Sequence, residues 1–320
     1  MQAMTPHTSN ENVEEGPALS IVIVNYNGGD RVLACVESIF AHGGARPVEV
    51  IIYDNASRDG TAESIAEQFP GVDLIRGNEN LGLCRAFNIG AKRALAPFIL
   101  ALDNDTRLLD GALDEMLDFL QSHPEVGAVG SNLYNPDMTL QLAARRFPNA
   151  MSALFGRRSR LTRLFPGNRI AQHDLMIDHS TSATPFEIDW HSAASLMMRR
   201  EVYESVGGFD ENFFVYWSDA DLCARIRAKG FLIYNVPSAK IIHDETLAGG
   251  KGKTSPRMVI DFHRGAYQFY RNHRIRGRAN PMAALAWLGL ASRAAAVIFF
   301  DHVRWKIRQF KSGLNAPEQS

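Results

Sequence analysis

The stretch Leu19-Ser20-Ile21-Val22-Ile23-Val24-Asn25-Tyr26-Asn27-Gly28-Gly29 decides the fold. Residues 19–24 form an apolar, β-branched run, which a polar turn closed by glycine joins to an amphipathic stretch over 30–41. That order is strand, loop, helix. Working outward, the pattern recurs: a strand over 48–53 before a helix over 61–69, a short strand at 72–75 before a helix over 84–95, a strand over 98–102 before a helix over 111–121, and a strand at 126–130. Strands apolar along their length are buried on both faces, and their alternation with helices predicts an α/β, Rossmann-like parallel sheet covered on both sides. Ligands of such sheets bind beyond the carboxyl ends of the strands. The residues that follow each apolar run are therefore the first candidates for chemistry.

The rhythm is lost over 135–186, where Arg145, Arg146, Arg157, Arg158, Arg160 and Arg163 are mixed with Phe and Pro. This region is expected to supply long loops and small elements over the site. A second ordered block follows, with a strand over 195–198, a helix over 201–206, the turn Gly207-Gly208-Phe209-Asp210, a helix over 219–229 and a strand over 231–235. Cys35, Cys84 and Cys223 lack paired metal-ligand spacing, which argues against a disulfide framework or a zinc site and fits a reducing cytosol. Residues 1–17 are polar, carry Glu11, Glu14 and Glu15, and read as a disordered lead-in rather than a signal peptide. The net charge of −1 conceals an asymmetry, because residues 251–320 carry 13 Lys/Arg against 3 Asp/Glu. An acidic body is thus joined to a basic tail suited to an anionic surface.

Five stretches are candidates for the chemistry. Asp54 closes the second strand ahead of Asn55-Ala56-Ser57-Arg58-Asp59-Gly60-Thr61; a carboxylate there can accept hydrogen bonds from a base or ribose, or can simply shape the turn. Asp103-Asn104-Asp105 follows the strand over 98–102, where two carboxylates can reach a ribose hydroxyl and a hard divalent cation bridging two phosphates, or can cap the next helix. The segment Gly207 to Leu222 joins a glycine turn to the aromatics Phe213, Phe214, Tyr216 and Trp217, then to Ser218, Asp219 and Asp221 entering a helix. Aromatics exclude water and offer a face to a sugar ring, and an adjacent carboxylate can deprotonate a hydroxyl. His243, after the strand-like run 239–242, is a candidate third metal ligand or a structural histidine. The run Gly249-Gly250-Lys251-Gly252-Lys253 can close over a pyrophosphate or stand as an exposed loop.

Taken in order, Val22-Ile23-Val24-Asn25-Tyr26-Asn27, the Asp54 to Thr61 stretch, Asn80-Leu81-Gly82 with Asn88-Ile89-Gly90, Asp103-Asn104-Asp105, Arg199-Arg200-Glu201, Gly207 to Tyr216, Asp219-Ala220-Asp221-Leu222 and His243 resemble the family 2 glycosyltransferases of GT-A fold. The resemblance is to the rhamnosyltransferase-like branch that builds bacterial cell-surface polysaccharides, and it spans about residues 18–275. It implies a nucleotide-sugar-binding half over 18–132 and an acceptor half over 133–275. It implies that Asn25, Tyr26, Asn27, Asp54, Asn80, Asp103 and Asn104 hold the donor, that Asp105 and His243 hold Mg²⁺ or Mn²⁺, and that Asp219 is the catalytic base. Trp217, Ser218 and Asp221 would then meet the acceptor. The implied donor is a dTDP- or UDP-linked sugar, with dTDP-rhamnose foremost, and the implied acceptor is a glycan or lipid-linked hydroxyl attacked with inversion.

Two positions depart from the family pattern. Relatives carry Glu where Ser218 stands and Gly where Ala193 stands, which bears on acceptor type or turnover. The tail over 276–320 reads as helical. Its apolar run over 281–300 is long enough to span a bilayer, but Arg293 within it costs roughly 2.5–3.5 kcal/mol at a helix centre. Val303, Ile307 and Phe310 share a face beside Arg304, Arg308 and Lys311, the pattern of a helix lying on the inner face of the cell membrane. Packing on the catalytic domain or in a homodimer is the alternative. The interleaved apolar run weighs against nucleic acid, and the absence of Gly-x-Gly-x-x-Gly after the first strand weighs against a dinucleotide-dependent oxidoreductase. A nucleotidyltransferase and an inactive sugar-nucleotide-binding scaffold remain the other readings.

Overall fold

The structure, a computed structural model, describes residues 16–147, 173–179, 181–245, 255–275 and 280–314. The runs expected at the amino end form β1 (Leu19–Asn25), α1 (Asp30–His42), β2 (Val48–Asp54), α2 (Thr61–Gln68), β3 (Asp73–Arg76), α3 (Gly82–Ala91), β4 (Phe98–Asp103), β5 (Thr106–Leu108), α4 (Ala112–Ser122) and β6 (Val126–Tyr134). After the short strands β7 (Leu140–Gln141), β8 (Ala144–Arg145), β9 (Phe186–Ile188) and β10 (Trp190–His191) come β11 (Ser195–Arg199), α5 (Arg200–Ser205), α6 (Ser218–Ala228), β12 (Leu232–His243), α7 (Pro256–His273) and α8 (Pro281–Leu314).

The main sheet runs β3-β2-β1-β4-β11-β6-β12-β5, with β7 beside β6 and β9 beside β12. Helices cover both faces, as expected. On one side Val32, Cys35, Val36 and Ile39 of α1 and Leu113, Met116 and Leu117 of α4 pack on Ile21, Ile23, Ile52 and Leu100. On the other, Cys84 and Phe87 of α3 and Leu222, Cys223 and Ile226 of α6 pack on Val22, Ile51 and Ile99. The sheet is mixed, however, and not parallel throughout. β11 lies antiparallel between β4 and β6, with Ser195 opposite Leu102 and Leu196 opposite Gly130. The chain leaves β6 at the carboxyl edge and returns to that edge before β11 begins, so β11 must run back down the sheet. Its buried Leu196, Met197 and Met198 look the same in either direction.

Two further runs differ from their expected bounds. The strands expected at 231–235 and 239–242 are one strand, β12, whose register shifts between Val236 and Lys240 around Pro237. A proline is accommodated there because the ladder is already interrupted. The tail is a single helix, α8, of 34 residues, packed along α7. The register places the functional ends together: Asn25 pairs with Asp54 and Val24 with Asp103, while His243 of β12 lies opposite Thr106 of β5. One sheet edge therefore carries the ends of β1, β2, β4 and β12.

Candidate active site

Asn25 holds the floor of the site together. Fully buried, it donates from Nδ2 to Asp54 Oδ1 at 2.9 Å and to Ser57 Oγ at 3.2 Å, and its Oδ1 accepts from Asn104 Nδ2 at 3.0 Å. Its side chain thus ties the ends of β1, β2 and β4, and a Cβ on Gly28 would come within 2.3 Å of that Oδ1. Asp54 is also buried, and its Oδ2 accepts the Ser57 N–H at 3.0 Å. Asn27, in the left-handed region at φ 51°, accepts the Arg58 N–H, and Asn80 accepts the N–H of Gly82 at 2.9 Å and Nδ2 of Asn55 at 3.1 Å. Of the residues expected to hold a donor, Tyr26 stands half exposed at the rim, where Asn27 and Asn80 are exposed as well. Asn25 and Asn104 act on their neighbours and shape the floor.

Asp103, Asp105 and His243 converge, each offering one ligand atom within 4.8 Å of the others. His243 Nε2 lies 3.4 Å from Asp105 and 3.7 Å from Asp103. Two carboxylates and one imidazole are donors suited to Mg²⁺ or Mn²⁺, so the residues present fit a divalent cation. Burial, which opposes ionisation, pushes the Asp103 carboxyl up to about 6; His243 counters the shift, and Asp105, Asp219 and Glu245 add to it. Burial disfavours the charged form of His243, but the hydrogen bond to Asp105 and the charges of Asp103 and Asp105 together raise its pKa. The site thus concentrates negative charge that a cation would neutralise.

At the start of α6, Asp219 accepts the Ala220 N–H at 2.8 Å. Burial raises its pKa, with the Ala220 N–H, the Arg145 guanidinium and the Ala193 N–H offsetting part of the effect. A carboxylate of raised pKa is a stronger base than an exposed one. Trp217 precedes it at φ 73°, its ring against Phe262 and Phe269 of α7 at centroid distances of 5.7 and 5.5 Å. A non-glycine residue in that region costs roughly 1–2 kcal/mol, offset here by an aromatic cluster that fixes the entry to α6.

Ser218 and Asp221 do not join this group. Ser218 is buried and donates to the Val215 carbonyl at 2.7 Å. Asp221 is buried against Arg225 at 2.8 Å, His273 at 2.7 Å and Asn272 at 3.2 Å. Two residues two apart on a helix point to different sides, so α6 turns Asp219 toward the sheet edge and Asp221 toward α7.

Three neighbours were not expected from the sequence. Arg31, in the first turn of α1, sits 3.6 Å from Asp105. A signal was available, since a cation at a helix N-terminus opposes the helix dipole and asks for a nearby anion. Arg145, its guanidinium 5.0 Å over the Trp190 ring, acts on Asp219. Gln141 accepts a hydrogen bond from His243 Nδ1 at 2.9 Å. Both lie where the sequence has no periodicity to read. The glycine and lysine run at 249–253 lies outside the described residues.

The chain is similar to known glycosyltransferases. The model of "Glycosyl transferase family 2" matches residues 20–192. An N-acetylglucosaminyl-diphospho-decaprenol L-rhamnosyltransferase of Mycobacterium tuberculosis is 29% identical over 262 residues, covering 78% of this chain and 83% of that protein. A dTDP-rhamnosyl transferase, RfbF, of Shigella flexneri is 23% identical over 226 residues, covering 69% and 67%. Among solved structures, GalNAc-T7 with UDP, GalNAc and Mn²⁺ superposes with a TM-score of 0.57 at 16% identity, over 79% of this chain and half of that longer one. That likeness shows the fold. A mixed sheet with an acidic cluster at its carboxyl edge, matched by the family model over more than half of the chain, makes this protein a member of glycosyl transferase family 2 on the GT-A fold.

Proposed function

We propose that this glycosyltransferase moves L-rhamnose from dTDP-rhamnose onto a hydroxyl of a lipid-linked glycan precursor, inverting the anomeric configuration, with Mg²⁺ or Mn²⁺ bound. The observation that carries the reading is the convergence of Asp103, Asp105 and His243 within 4.8 Å, with Asp219 close enough to raise the pKa of Asp103. The two rhamnosyltransferase relatives support the choice of sugar, and the diphospho-decaprenol in one relative's name supports a lipid-linked acceptor.

Asp103, Asp105 and His243 would hold the cation, whose charge would stabilise the departing nucleoside diphosphate. The chain supplies the rest. Asp54 and Asn27, on the turns after β2 and β1, border the place for the nucleoside, and Tyr26 offers it an exposed ring. Asp219 takes the proton of the acceptor hydroxyl as its oxygen attacks the anomeric carbon, and Trp217 with Phe262 and Phe269 keeps water from that side. A single base with no second nucleophile gives one displacement and hence inversion.

The protein works at the inner face of the cell membrane in this reading. Support comes from α8, whose Met282, Leu285, Trp287, Leu288, Phe299 and Phe300 are exposed and whose Arg304 and Lys306 follow them. Its length and composition would also suit a span, but Arg293 contacts His263 of α7 at 3.4 Å, tying the helix to the catalytic body.

The test is transfer from dTDP-rhamnose to a polyprenyl-diphosphate-linked N-acetylglucosamine, with the product anomer assigned by NMR. An α-linked rhamnoside, inverted from the β-linked donor, is expected. A retained configuration, or turnover only with another sugar nucleotide, contradicts the proposal.

A further inference from the structure

The hairpin between β6 and β7 has no part in the chemistry described above, yet it holds a hydrogen-bond chain that ends on His243. Asp137 begins it. Its carboxylate can only accept, and it takes the Thr139 hydroxyl at 2.6 Å and the Thr139 N–H at 3.0 Å. These bonds hold its pKa below the usual carboxylate range, with the hydroxyl contributing most.

Because the Thr139 proton is committed to Asp137, Thr139 Oγ must accept from Asn135, whose Nδ2 lies 2.8 Å away. Asn135 Oδ1 is then the acceptor for Gln141 Nε2 at 2.8 Å, and the same Nε2 donates to the backbone carbonyl of His243 at 2.8 Å. Gln141 is therefore gripped with its Oε1 toward His243 Nδ1, 2.9 Å away. Only Nδ1–H satisfies that contact. Glu245 lies 3.9 Å from Nδ1, beyond hydrogen-bond reach.

We infer that Gln141 is a positioning residue that keeps the proton of the neutral His243 ring on Nδ1, so that the Nε2 lone pair faces Asp103 and Asp105 and is available to a divalent cation. Among the described residues, Gln141 is the acceptor set at hydrogen-bond distance from Nδ1. The two carboxylates beside Nε2 attract a proton to that nitrogen, and an imidazole freed from Gln141 would take the tautomer that blocks the metal. A hydrogen-bond acceptor on the far nitrogen of a ligating histidine orients the ring and raises its basicity, and losing such a partner lowers metal affinity about 10- to 100-fold. Direction along the chain is what distinguishes this from ordinary loop packing: every donor is assigned once the carboxylate end is fixed.

The inference rests on the metal reading of Asp103, Asp105 and His243, and the experiment separates the two. Mn²⁺ binding to the full chain without donor is measured by EPR for the wild type, Asp105→Ala and Gln141→Leu, each shown to be folded by circular dichroism. In parallel, ¹⁵N NMR assigns the tautomer of the neutral His243 ring in metal-free protein. Wild type is expected to bind and Asp105→Ala to lose binding. Gln141→Leu should bind about 10- to 100-fold more weakly. The neutral wild-type ring should be protonated on Nδ1 and the Gln141→Leu ring on Nε2. Unchanged Mn²⁺ affinity in Gln141→Leu, or an Nε2–H ring in wild type, overturns the role of Gln141 and leaves the metal site standing. Equal Mn²⁺ binding by wild type and Asp105→Ala, or none by either, overturns the metal site and this inference with it.

Discussion

Asp219 and Asp221 differ by two positions and by everything else. Asp219 meets Ala193 and Arg145 across the site, and its raised pKa comes first from burial. As a base it must be ionised, so activity is lost as pH falls through that raised value. The acid limb of kcat/KM against pH is expected above the ordinary aspartate value of about 3.9; a limb at or below it would place the base elsewhere. Asp219→Asn should lower kcat by about 10²- to 10⁴-fold while donor affinity stays within a few-fold, measured by rhamnose transfer and by calorimetry. Asp103 and Asp105 could be nominated from the sequence because they follow a buried run, whereas Asp219 was set apart from Asp221 by the family resemblance and not by its spacing. Asn25 could be nominated but not understood, since nothing in Asn25-Tyr26-Asn27 shows that its amide bridges Asp54 and Asn104.

At the scale of elements, α6 turns one carboxylate, Asp219, toward the proposed site and the other, Asp221, into a buried ion pair. Burial opposes the ionisation of Asp221, but His273 and Arg225 outweigh it and hold its pKa below the usual carboxylate range. A depressed folded pKa contributes stability above the ordinary carboxylate value, and that stability is lost as pH falls through the folded one. Asp221→Asn leaves Arg225 short of its partner and should cost about 3 kcal/mol in urea unfolding near neutral pH, with the difference from wild type shrinking as the solution is acidified. A pH-independent difference would show that the charge is not what matters. The strands β1, β2, β4 and β6 were legible because burial on both faces leaves an apolar run bounded by turn residues. The reversal of β11 was not, because apolar runs carry no sign of direction. Nor was the hairpin at 135–141, whose contacts run from polar side chain to polar side chain and follow neither helical nor strand spacing.

The whole molecule joins an acidic catalytic sheet to a long helix held against α7. Length, apolar run and basic residues of the tail were readable beforehand. Its attachment through Arg293 and His263 was not, because a charge inside an apolar run marks a contact without naming the partner. If α8 lies on a membrane, wild type should float with vesicles containing anionic phosphatidylglycerol, less with purely zwitterionic ones, and Trp287→Glu with Leu288→Glu should abolish flotation; equal flotation of the double variant would rule out that surface. The account turns above all on whether the acidic edge of the sheet binds a metal together with a sugar nucleotide. Calorimetry of the full chain with dTDP-rhamnose, with and without Mn²⁺, in wild type and Asp105→Ala, tests this most directly. The account predicts binding that requires Mn²⁺ and vanishes in Asp105→Ala; equal binding without the metal, or in the variant, would contradict it.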